Sequence, residues 1–374
     1  MHVAFLTDVA LPYVSGVTVA VRRQRDALRE AGVVVTVVGP HGDVDIAEQD
    51  IHVPGAPPGH RLALFGPRLP LKLRSRGVGL LHAHSVFGAS WAALAAARTL
   101  HVPFVVTVHT RFDEYAHYAG FAAPLARTLV GPYTGAVVAA ADLAIAPNEE
   151  LAVELRGAGD AKAVRVVPAP TDPALSRGDA ARGRALLGVP AGVPLLLSAS
   201  RLSLEKRVLD LIALLRASSR RDAVLVFAGS GPQEAELRAA AHDTGLDARI
   251  RFAGQLGPAA LADAFAAADI VVSASRSETQ GLALCEAAAA ARVVVAPDRG
   301  GYAEVLVHQT GGLFPSREPS ADELAGCVDR MLDDAAARAS IGAEAGRRAE
   351  VAWSARAVAV ALRDAYAAAA RVTE

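Results

Sequence analysis

The segment Glu278-Thr279-Gln280-Gly281-Leu282-Ala283-Leu284-Cys285-Glu286 carries a carboxylate at each end. It follows an apolar run, Ile270–Val272, that predicts a buried strand, and it leads into an alanine-rich run that predicts a helix. In a doubly wound α/β sheet such a loop lies outside the carboxyl ends of the strands, where ligands bind. The helix start presents N–H groups and a positive dipole end, which suits an anion. Because carboxylates accept hydrogen bonds from hydroxyls, the pattern favours a ligand with hydroxyls on both sides of a phosphate.

A sugar nucleotide has this layout, with hexose, diphosphate and ribose in series. The diphosphate also needs cations, and Arg201 and Lys206 are candidates because they come directly after the predicted strand Leu195–Leu197. The pattern Arg-Leu-x-x-Glu-Lys, followed by Glu-x7-Glu after a later strand, resembles glycosyltransferase family 4, whose members are retaining enzymes of the GT-B fold. The resemblance covers nearly the whole chain, although its specific motifs lie mostly in the second half.

The resemblance implies a role for each matching residue. Glu278 would hold the hexose hydroxyls, Glu286 the ribose diol, and Arg201 and Lys206 the diphosphate, while His109 would contact the donor hexose near its reacting face. The other donor-binding positions that it implies are Gly16, Gly229, Gly231, Gln255, Leu256, Gly281 and Leu282. Two positions depart from the family pattern, because Ser15 stands where a second glycine is common and Ala303 stands where proline is usual.

The resemblance also implies a mechanism. A hexose would pass from a nucleotide diphosphate to an acceptor hydroxyl with retention, by front-face attack and without a covalent nucleophile. Catalysis would be chiefly electrostatic, from fixed hydrogen-bond donors and cations aimed at the charge that develops on the leaving phosphate. No metal or other cofactor is expected, since Arg201, Lys206 and main-chain amides would balance that charge.

The fold class that the sequence predicts is α/β. Short apolar runs alternate with helical patterns, which is typical of parallel sheets, and 374 residues suit two domains. We expect two Rossmann-like domains that face each other across a cleft, residues 1–168 for the acceptor and 173–352 for the donor, with helix 353–374 crossing back to the first. The proline-rich segment 168–173 marks the boundary. The predicted strands are Val3–Leu6, Val33–Val38, Leu80–Leu81, Phe104–Val108, Leu143–Ala146, Val164–Val167, Leu195–Leu197, Val224–Ala228, Ile250–Phe252, Ile270–Val272 and Val293–Ala296.

Composition limits the class of protein. The net charge of −1 disfavours nucleic acid as a partner, and two cysteines form no disulfide framework. Cys285 is predicted to be a core residue. The N-terminal residues predict a strand rather than a signal peptide, and apolar runs are too short to span a bilayer, so we expect a soluble, cytoplasmic protein.

The basic, leucine-rich segment Arg61–Arg76 leaves two interpretations open. It could rest on the anionic inner face of the plasma membrane or hold an acidic acceptor. Alternatively it is an amphipathic helix whose arginine stems cover the edge of the core.

Two further motifs resemble metal sites but are predicted not to be. Asp43-Val44-Asp45 lies in a polar loop and is interpreted as solvated acids. His82 and His84 share one strand face, but no third ligand lies nearby in the sequence. By resemblance this strand end lines the cleft, with His84 touching the acceptor.

The chain's densest aromatic run resembles that of family members that glycosylate lipids or transfer mannose from GDP-mannose. It could line the acceptor site or fill a helical core; its residues are Phe112, Tyr115, His117, Tyr118, Phe121 and Tyr133. We therefore favour GDP-mannose as the donor, with UDP-glucose or UDP-N-acetylglucosamine next. A lipid, a polyprenol, a sugar and a specialised metabolite all stay open as the acceptor.

The sequence also bears on four other functions. A glycoside hydrolase with paired carboxylates would leave Arg201 and Lys206 unexplained. A sugar-nucleotide epimerase shares the two-domain architecture, and a non-catalytic nucleotide-sugar binding protein would share the donor site. A serine hydrolase is disfavoured because the chain has no Gly-x-Ser-x-Gly.

Overall fold

The computed structural model describes residues 1–52, 60–111, 123–157 and 162–373. The chain divides into two compact units, Met1–Pro170 with Ala355–Glu374, and Thr171–Ser354. The division therefore falls inside the proline-rich segment 168–173, and the C-terminal helix belongs to the first unit.

The first unit is built on a seven-stranded parallel sheet and a small antiparallel hairpin. Its strands are β1 (His2–Leu6), β2 (Val34–Gly39), β3 (Ile46–Ala47), β4 (Gln49–His52), β5 (Arg61–Leu64), β6 (Leu80–Ala83), β7 (Phe104–Thr107), β8 (Leu143–Ala146) and β9 (Val164–Val166). The sheet order is β3-β2-β1-β6-β7-β8-β9, and β4 pairs with β5. Its helices are α1 (Gly16–Glu30), α2 (Leu69–Arg74), α3 (Gly88–Leu100), α4 (Ala123–Ala140) and α5 (Glu149–Gly157).

The second unit is built on a five-stranded parallel sheet. Its strands are β10 (Leu195–Ala199), β11 (Val224–Ala228), β12 (Ile250–Gly254), β13 (Ile270–Val272) and β14 (Val293–Val295), in the order β12-β11-β10-β13-β14. Its helices are α6 (Ala180–Leu187), α7 (Val208–Ala217), α8 (Glu234–Asp243), α9 (Pro258–Ala267), α10 (Leu282–Ala289), α11 (Gly301–Leu306), α12 (Ala321–Asp333) and α13 (Ala335–Trp353). Helix α14 (Ala355–Thr373) completes the first unit.

Each sheet has a core on both faces, which is why its strands are apolar throughout rather than alternating. In β1, Phe5 packs on one face together with Leu362 and Tyr366 of α14, while Leu6 packs on the other. In β10, Leu195 and Leu197 share one core and Leu196 enters the other. All eleven predicted strands are present, and the predicted α/β class is confirmed.

The terminal helix begins later than predicted. Trp353 is the last residue of α13 and lies in the core of the second unit. Ser354 has an extended backbone with ψ 151°, which separates α13 from α14. Tyr366 lies in the core of the first unit, so the two aromatic residues assigned to one helix stabilise different units.

The amphipathic helix that was one of the two interpretations of Arg61–Arg76 is present over only part of the segment. Arg61–Leu64 is strand β5, and the helix is limited to Leu69–Arg74, with a proline in its first turn. The hairpin escaped prediction because Gln49–His52 has no run of apolar residues, and the short apolar run Leu62–Leu64 lies in a basic segment that suits a helix equally well.

The acidic residues of the hairpin neutralise part of the basic segment. Lys72 Nζ lies 2.6 Å from Glu48 Oε1, and Arg61 forms an ion pair with Asp50. The positive charge that the sequence concentrates here is therefore reduced in the fold.

Candidate active site

The loop after β10 carries the two candidate cations. Leu202 and Ser203 are buried and hold the loop in place, while Arg201 is exposed. A 3₁₀ turn over Leu204–Lys206 follows, and Ser203 Oγ donates to Glu205 Oε1 at 2.6 Å. The loop therefore presents Arg201 at the surface and directs Lys206 toward the loop that carries Glu278.

The turn after β11 packs directly on that loop. Leu202 N donates to Ser230 O at 3.1 Å, and a Cβ on Gly231 would lie 2.2 Å from Leu202 O. A Cβ on Gly229 would lie 1.9 Å from Ser200 O. Only glycine allows the two backbones to come this close. Gly229 and Gly231 therefore pack against the loop that carries Arg201 and support it. Their predicted contact with the donor stays a prediction.

Lys206 and Glu278 are paired. Lys206 Nζ lies 2.6 Å from Glu278 Oε1, and each side chain is about one-sixth exposed, at 17% and 16%. Burial alone raises the pKa of Glu278, but the Lys206 ammonium and a hydrogen bond from Ser275 outweigh it, so the pKa of Glu278 lies below its ordinary value. Glu278 is thus a carboxylate at neutral pH.

The Glu278 loop is supported by residues that the sequence analysis did not single out. Ser277 is buried, and its Oγ donates to the Glu205 carbonyl oxygen at 3.2 Å, which ties this loop to the loop of Lys206. Ser275 and Ser277 could have been noticed as polar residues between a buried strand and a motif carboxylate.

Gly281 is the N-cap of helix α10, and its backbone lies in the left-handed region, with φ 76°. A Cβ there would lie 2.5 Å from Tyr302 Cδ1, so the site requires glycine for both conformation and space. Tyr302 is fully buried, and its hydroxyl donates to Pro297 O at 2.6 Å. Gly301 N donates to Thr279 O at 2.7 Å, which joins the Gly300-Gly301 turn to the Glu278 loop.

The remaining donor candidates also follow parallel strands. Leu282 opens α10 and is half-buried, and Glu286 lies one turn further along the same helix, 6% exposed. Gln255 is exposed after β12, and Leu256 packs against the core. Cys285 is fully buried in that core, as predicted.

The second unit thus gathers its candidates at one edge. They follow β12, β11, β10 and β13, which are neighbours in the sheet and run parallel. The carboxyl ends of parallel strands share one edge, which is where open α/β sheets bind ligands.

In the first unit, Ser15 stands where the family often has a second glycine, and its role in the structure explains this difference. It is the N-cap of α1, where its Oγ accepts from Thr18 N at 3.2 Å and the Thr18 hydroxyl accepts from Ser15 N at 2.9 Å. Gly16 is therefore the first residue of the helix. A Cβ on Gly16 would meet nothing within 4 Å, so packing alone does not require glycine there.

His109 follows β7 and is half-buried, and its Nε2 lies 3.1 Å from Nδ1 of His84. Burial lowers the pKa of His109 to about 4, so it is neutral at physiological pH. His84 is only 1% exposed, which contradicts its expected contact with an acceptor. His82 bonds to the Tyr366 hydroxyl at 2.8 Å and to Thr107 Oγ1 at 2.6 Å.

Asp8 lies two residues after β1, and the sequence patterns did not indicate a role for it. It accepts hydrogen bonds from the Ser85 hydroxyl and from Ala89 N, the latter at 2.9 Å, and so fixes the start of α3. Burial raises the pKa of Asp8, and these two bonds offset only part of the increase.

The two metal-like motifs have other partners. Asp43 pairs with Arg25 at 2.8 Å and Asp45 with Arg29 at 2.7 Å. Within the described ranges, no three His, Cys, Asp or Glu side chains are grouped as metal ligands.

Of the aromatic run, only Tyr133 lies within the described residues, where its hydroxyl accepts from Trp91 Nε1 at 2.8 Å. Phe112, Tyr115, His117, Tyr118 and Phe121 lie outside them. Among the helices of the described ranges, none has an apolar stretch long enough to cross a bilayer.

Comparison with known proteins identifies the family. Residues 14–175 match the family "Glycosyltransferase Family 4", and residues 182–348 match "Glycosyl transferases group 1". The GDP-mannose-dependent alpha-mannosyltransferase of Mycolicibacterium smegmatis is 30% identical over 337 residues, which is 84% of each chain. The chain belongs to glycosyltransferase family 4. The expected resemblance is therefore confirmed.

Two other similar proteins agree with this. The alpha-monoglucosyldiacylglycerol synthase of Streptococcus pneumoniae is 28% identical over 312 residues, covering 79% of this chain and 71% of the relative. The structure of Anabaena HepE in complex with UDP superimposes with a TM-score of 0.77 at 20% identity, covering 97% of this chain and 99% of HepE. The chain is a glycosyltransferase of the GT-B fold that uses a nucleotide-sugar donor.

Proposed function

We propose that this enzyme transfers a hexose, with retention, from a nucleotide diphosphate sugar to an acceptor hydroxyl. The observation that carries the proposal is the edge of the second sheet, where Arg201, Lys206, Glu278 and the start of α10 follow neighbouring parallel strands. Cations and amides for a diphosphate thus lie beside carboxylates for sugar hydroxyls.

In the proposed reaction the bond between the anomeric carbon and the phosphate oxygen breaks, and the electron pair stays on the phosphate. The acceptor oxygen bonds to the anomeric carbon on the same face, and its proton passes to the departing phosphate. Arg201, Lys206 and the N-terminal amides of α10 would stabilise the charge that grows on the phosphate. Glu278 would orient the hexose hydroxyls, and Glu286 would hold the ribose diol.

The Lys206–Glu278 pair adds a detail to this proposal. A lysine ammonium has three N–H donors, and one of them is directed at Glu278 in the 2.6 Å contact. Lys206 can therefore serve the diphosphate while it keeps Glu278 ionised and in position. The pair would link the charge on the leaving group to the orientation of the hexose.

The remaining donor contacts are proposed on the resemblance and on their positions. Gly229 and Gly231 would bring their backbone to the diphosphate, Gln255 and Leu256 would read the nucleobase, and Gly16 would approach the donor from the first unit. His109 would contact the hexose as a neutral imidazole, able to donate one hydrogen bond and accept another.

We favour GDP-mannose as the donor. The support is the aromatic pattern of the sequence and the name of the M. smegmatis relative, which is GDP-mannose-dependent. UDP-glucose and UDP-N-acetylglucosamine come next, since HepE binds UDP and the pneumococcal relative is a monoglucosyldiacylglycerol synthase. For the same reason a lipid is the acceptor that we favour, with the first unit binding it at the cytoplasmic face of a membrane.

A donor screen tests the proposal. The purified protein is given each of the three sugar nucleotides, with and without a lipid extract, in the presence of EDTA. Release of nucleoside diphosphate together with an α-linked glycolipid is expected, and activity should survive the chelator because Arg201 and Lys206 supply the positive charge. The variant Glu286→Gln should raise the KM for the donor.

Four results would overturn the proposal. An altered sugar nucleotide without acceptor would indicate an epimerase, and cleavage of a simple glycoside without nucleotide would indicate a hydrolase. Binding without any turnover would indicate a binding protein. Reversible loss of activity in EDTA would refute metal independence.

A further inference from the structure

Two histidines of the first unit are joined by a hydrogen bond that the proposed reaction does not use directly. His84 Nδ1 lies 3.1 Å from His109 Nε2, and the ring planes differ by only 20°. The ring centroids are 5.4 Å apart, so the two nitrogens lie almost on the line that joins the centroids. The bond therefore runs nearly in the plane of both rings, the orientation in which ring nitrogens donate and accept best.

His84 cannot move away from this contact because other rings hold it. Its centroid lies 4.3 Å from that of Phe5 and 4.0 Å from that of His82. His82 is itself held at both nitrogens, by Tyr366 and by Thr107. We call His82, His84 and His109 the histidine stack. Its first two rings are held by these contacts, and His109, at the other end, is half-buried.

Among the described residues, His109 is the one hydrogen-bond partner of the His84 ring. Its Nε2 is buried and makes no hydrogen bond in the part of the chain that the structure describes. A buried ring nitrogen without a partner costs roughly 1–3 kcal/mol. An apolar side chain would avoid that cost, so stability alone does not explain a histidine at this position.

We propose that His84 is a positioning residue that holds His109 in one ring orientation and one tautomer. One proton lies between His84 Nδ1 and His109 Nε2. If His109 Nε2 carries it, His109 Nδ1 is an acceptor; if His84 Nδ1 carries it, His109 Nδ1 bears its own proton and is a donor. The hexose then meets a single hydrogen-bonding pattern instead of two. The catalytic consequence rests on the hexose contact proposed for His109.

The test compares two substitutions of His84 with a control in the same stack. His84→Leu removes the bond to His109, whereas His84→Asn keeps a polar group near the former position of Nδ1. The control Tyr366→Phe removes the hydroxyl that bonds to His82 and leaves the His84–His109 bond intact. Each protein is examined by urea unfolding, by donor kinetics, and by ¹⁵N NMR of the histidine rings.

His84→Leu should unfold at a urea concentration no lower than that of the wild type, yet its kcat should fall about tenfold to a hundredfold, with little change in KM. His84→Asn should recover part of that loss, and Tyr366→Phe should keep the wild-type kcat. In the NMR spectrum His109 should be one tautomer in the wild type and a mixture in His84→Leu.

A single His109 tautomer that is unchanged in His84→Leu would overturn the proposal, whatever the activity. So would a kcat in His84→Leu equal to that of the wild type while His109→Ala is impaired. If His109→Ala keeps full activity, it is the hexose contact proposed for His109 that fails, and the NMR result still decides the role of His84.

Discussion

Lys206 and Glu278 form an ion pair across 72 positions of sequence, with 2.6 Å between Nζ and Oε1. Resemblance assigns Lys206 to the diphosphate and Glu278 to the hexose, but the structure bonds them to each other. Because both side chains are mostly buried, the Lys206 ammonium is needed to keep the pKa of Glu278 below its ordinary value. Arg201 on the same loop is exposed, so the two candidate cations differ in what they do for the fold.

Lys206→Met and Arg201→Met should therefore differ in stability but agree in activity. Loss of Lys206 leaves the Glu278 carboxylate buried without its cation, which should cost about 1–3 kcal/mol, whereas Arg201→Met should unfold like the wild type. Both should lose tenfold to a hundredfold or more in turnover, since each removes a charge-assisted bond to the leaving group. Urea unfolding and initial rates measure the two effects.

The double variant Lys206→Met/Glu278→Gln is the control for the first prediction. It removes both charges, so it should regain much of the stability lost in Lys206→Met while remaining inactive. Equal stability of Lys206→Met and the wild type would mean that the ion pair contributes nothing to the fold. Full activity in Arg201→Met and Lys206→Met would remove both from the mechanism.

Gly231→Ala should damage the donor site without touching a charged residue. Its Cβ would lie 2.2 Å from Leu202 O, so the Arg201 loop must move. We expect donor affinity to fall about tenfold or more and stability to fall by about 1–3 kcal/mol, the range for overpacking. Nucleotide titration calorimetry and thermal unfolding provide the measurements.

Gly326→Ala is the matched control, because this glycine lies inside α12 and a Cβ there would meet nothing within 4 Å. Alanine favours a helix interior over glycine by roughly 0.5–1 kcal/mol, so this variant should be slightly more stable and bind donor normally. Wild-type affinity in Gly231→Ala would show that the turn after β11 does not support the Arg201 loop.

Much of this fold could be predicted from the sequence because its strands are short apolar runs that a parallel sheet buries on both faces. The hairpin of Gln49–His52 and Arg61–Leu64 could not, since its first strand has no apolar run and its second is short and lies in a leucine-rich segment that also suits a helix. The separate ends of α13 and α14 depend on the backbone of Ser354 between two helical patterns, which periodicity does not reveal.

The candidate site, too, could be predicted from the sequence only in part. A motif after each of several parallel strands predicts that Arg201, Lys206 and Glu278 share one sheet edge, and the structure places them there. The sequence does not predict which of them pair, because that depends on loop conformation set by Ser277 and by close glycine contacts. Nor does it predict that His84 is buried against His109 rather than exposed to an acceptor.

The histidine stack should make the protein less stable in mild acid. Burial lowers the pKa of His109 to about 4, and burial together with the neighbouring histidines lowers the pKa values of His82 and His84 well below 6.5. Between pH 6.5 and pH 5 these histidines bind protons in the unfolded chain but stay neutral in the folded chain. The free energy of unfolding should therefore fall as the pH decreases from 6.5, by about 2 kcal/mol at pH 5 from His109, with His82 and His84 acting in the same direction.

Urea unfolding at pH 7.5, 6.5, 5.5 and 5 measures this dependence. The window lies above the ordinary pKa of carboxyl groups, so histidines dominate it. His84→Leu should show a smaller loss of stability, while His242→Ala, which removes an exposed histidine, should follow the wild type. Constant stability from pH 7.5 to 5 in the wild type would mean that the stack is protonated in the folded state.

The surface around α2 is expected to contact anionic lipid through a smaller set of charges than the sequence suggests. Arg61 and Lys72 are paired with Asp50 and Glu48, which leaves the exposed Arg68, Arg74 and Arg76, next to the exposed Leu71. Each basic residue near a membrane surface contributes about 1 kcal/mol, so replacing all three by alanine should weaken binding to phosphatidylglycerol vesicles roughly a hundredfold. Sedimentation with vesicles at low and high salt measures the effect, and high salt should abolish it.

A triple variant of the exposed residues Arg177, Arg216 and Arg221 in the second unit removes the same charge from a different surface. It should bind vesicles like the wild type if α2 is the contact, and as weakly as the first variant if only net charge matters. The two variants thus separate a specific surface from general electrostatic attraction. If the wild type does not bind anionic vesicles at all, the basic segment only covers the edge of the core, and a lipid acceptor must reach the enzyme by another route.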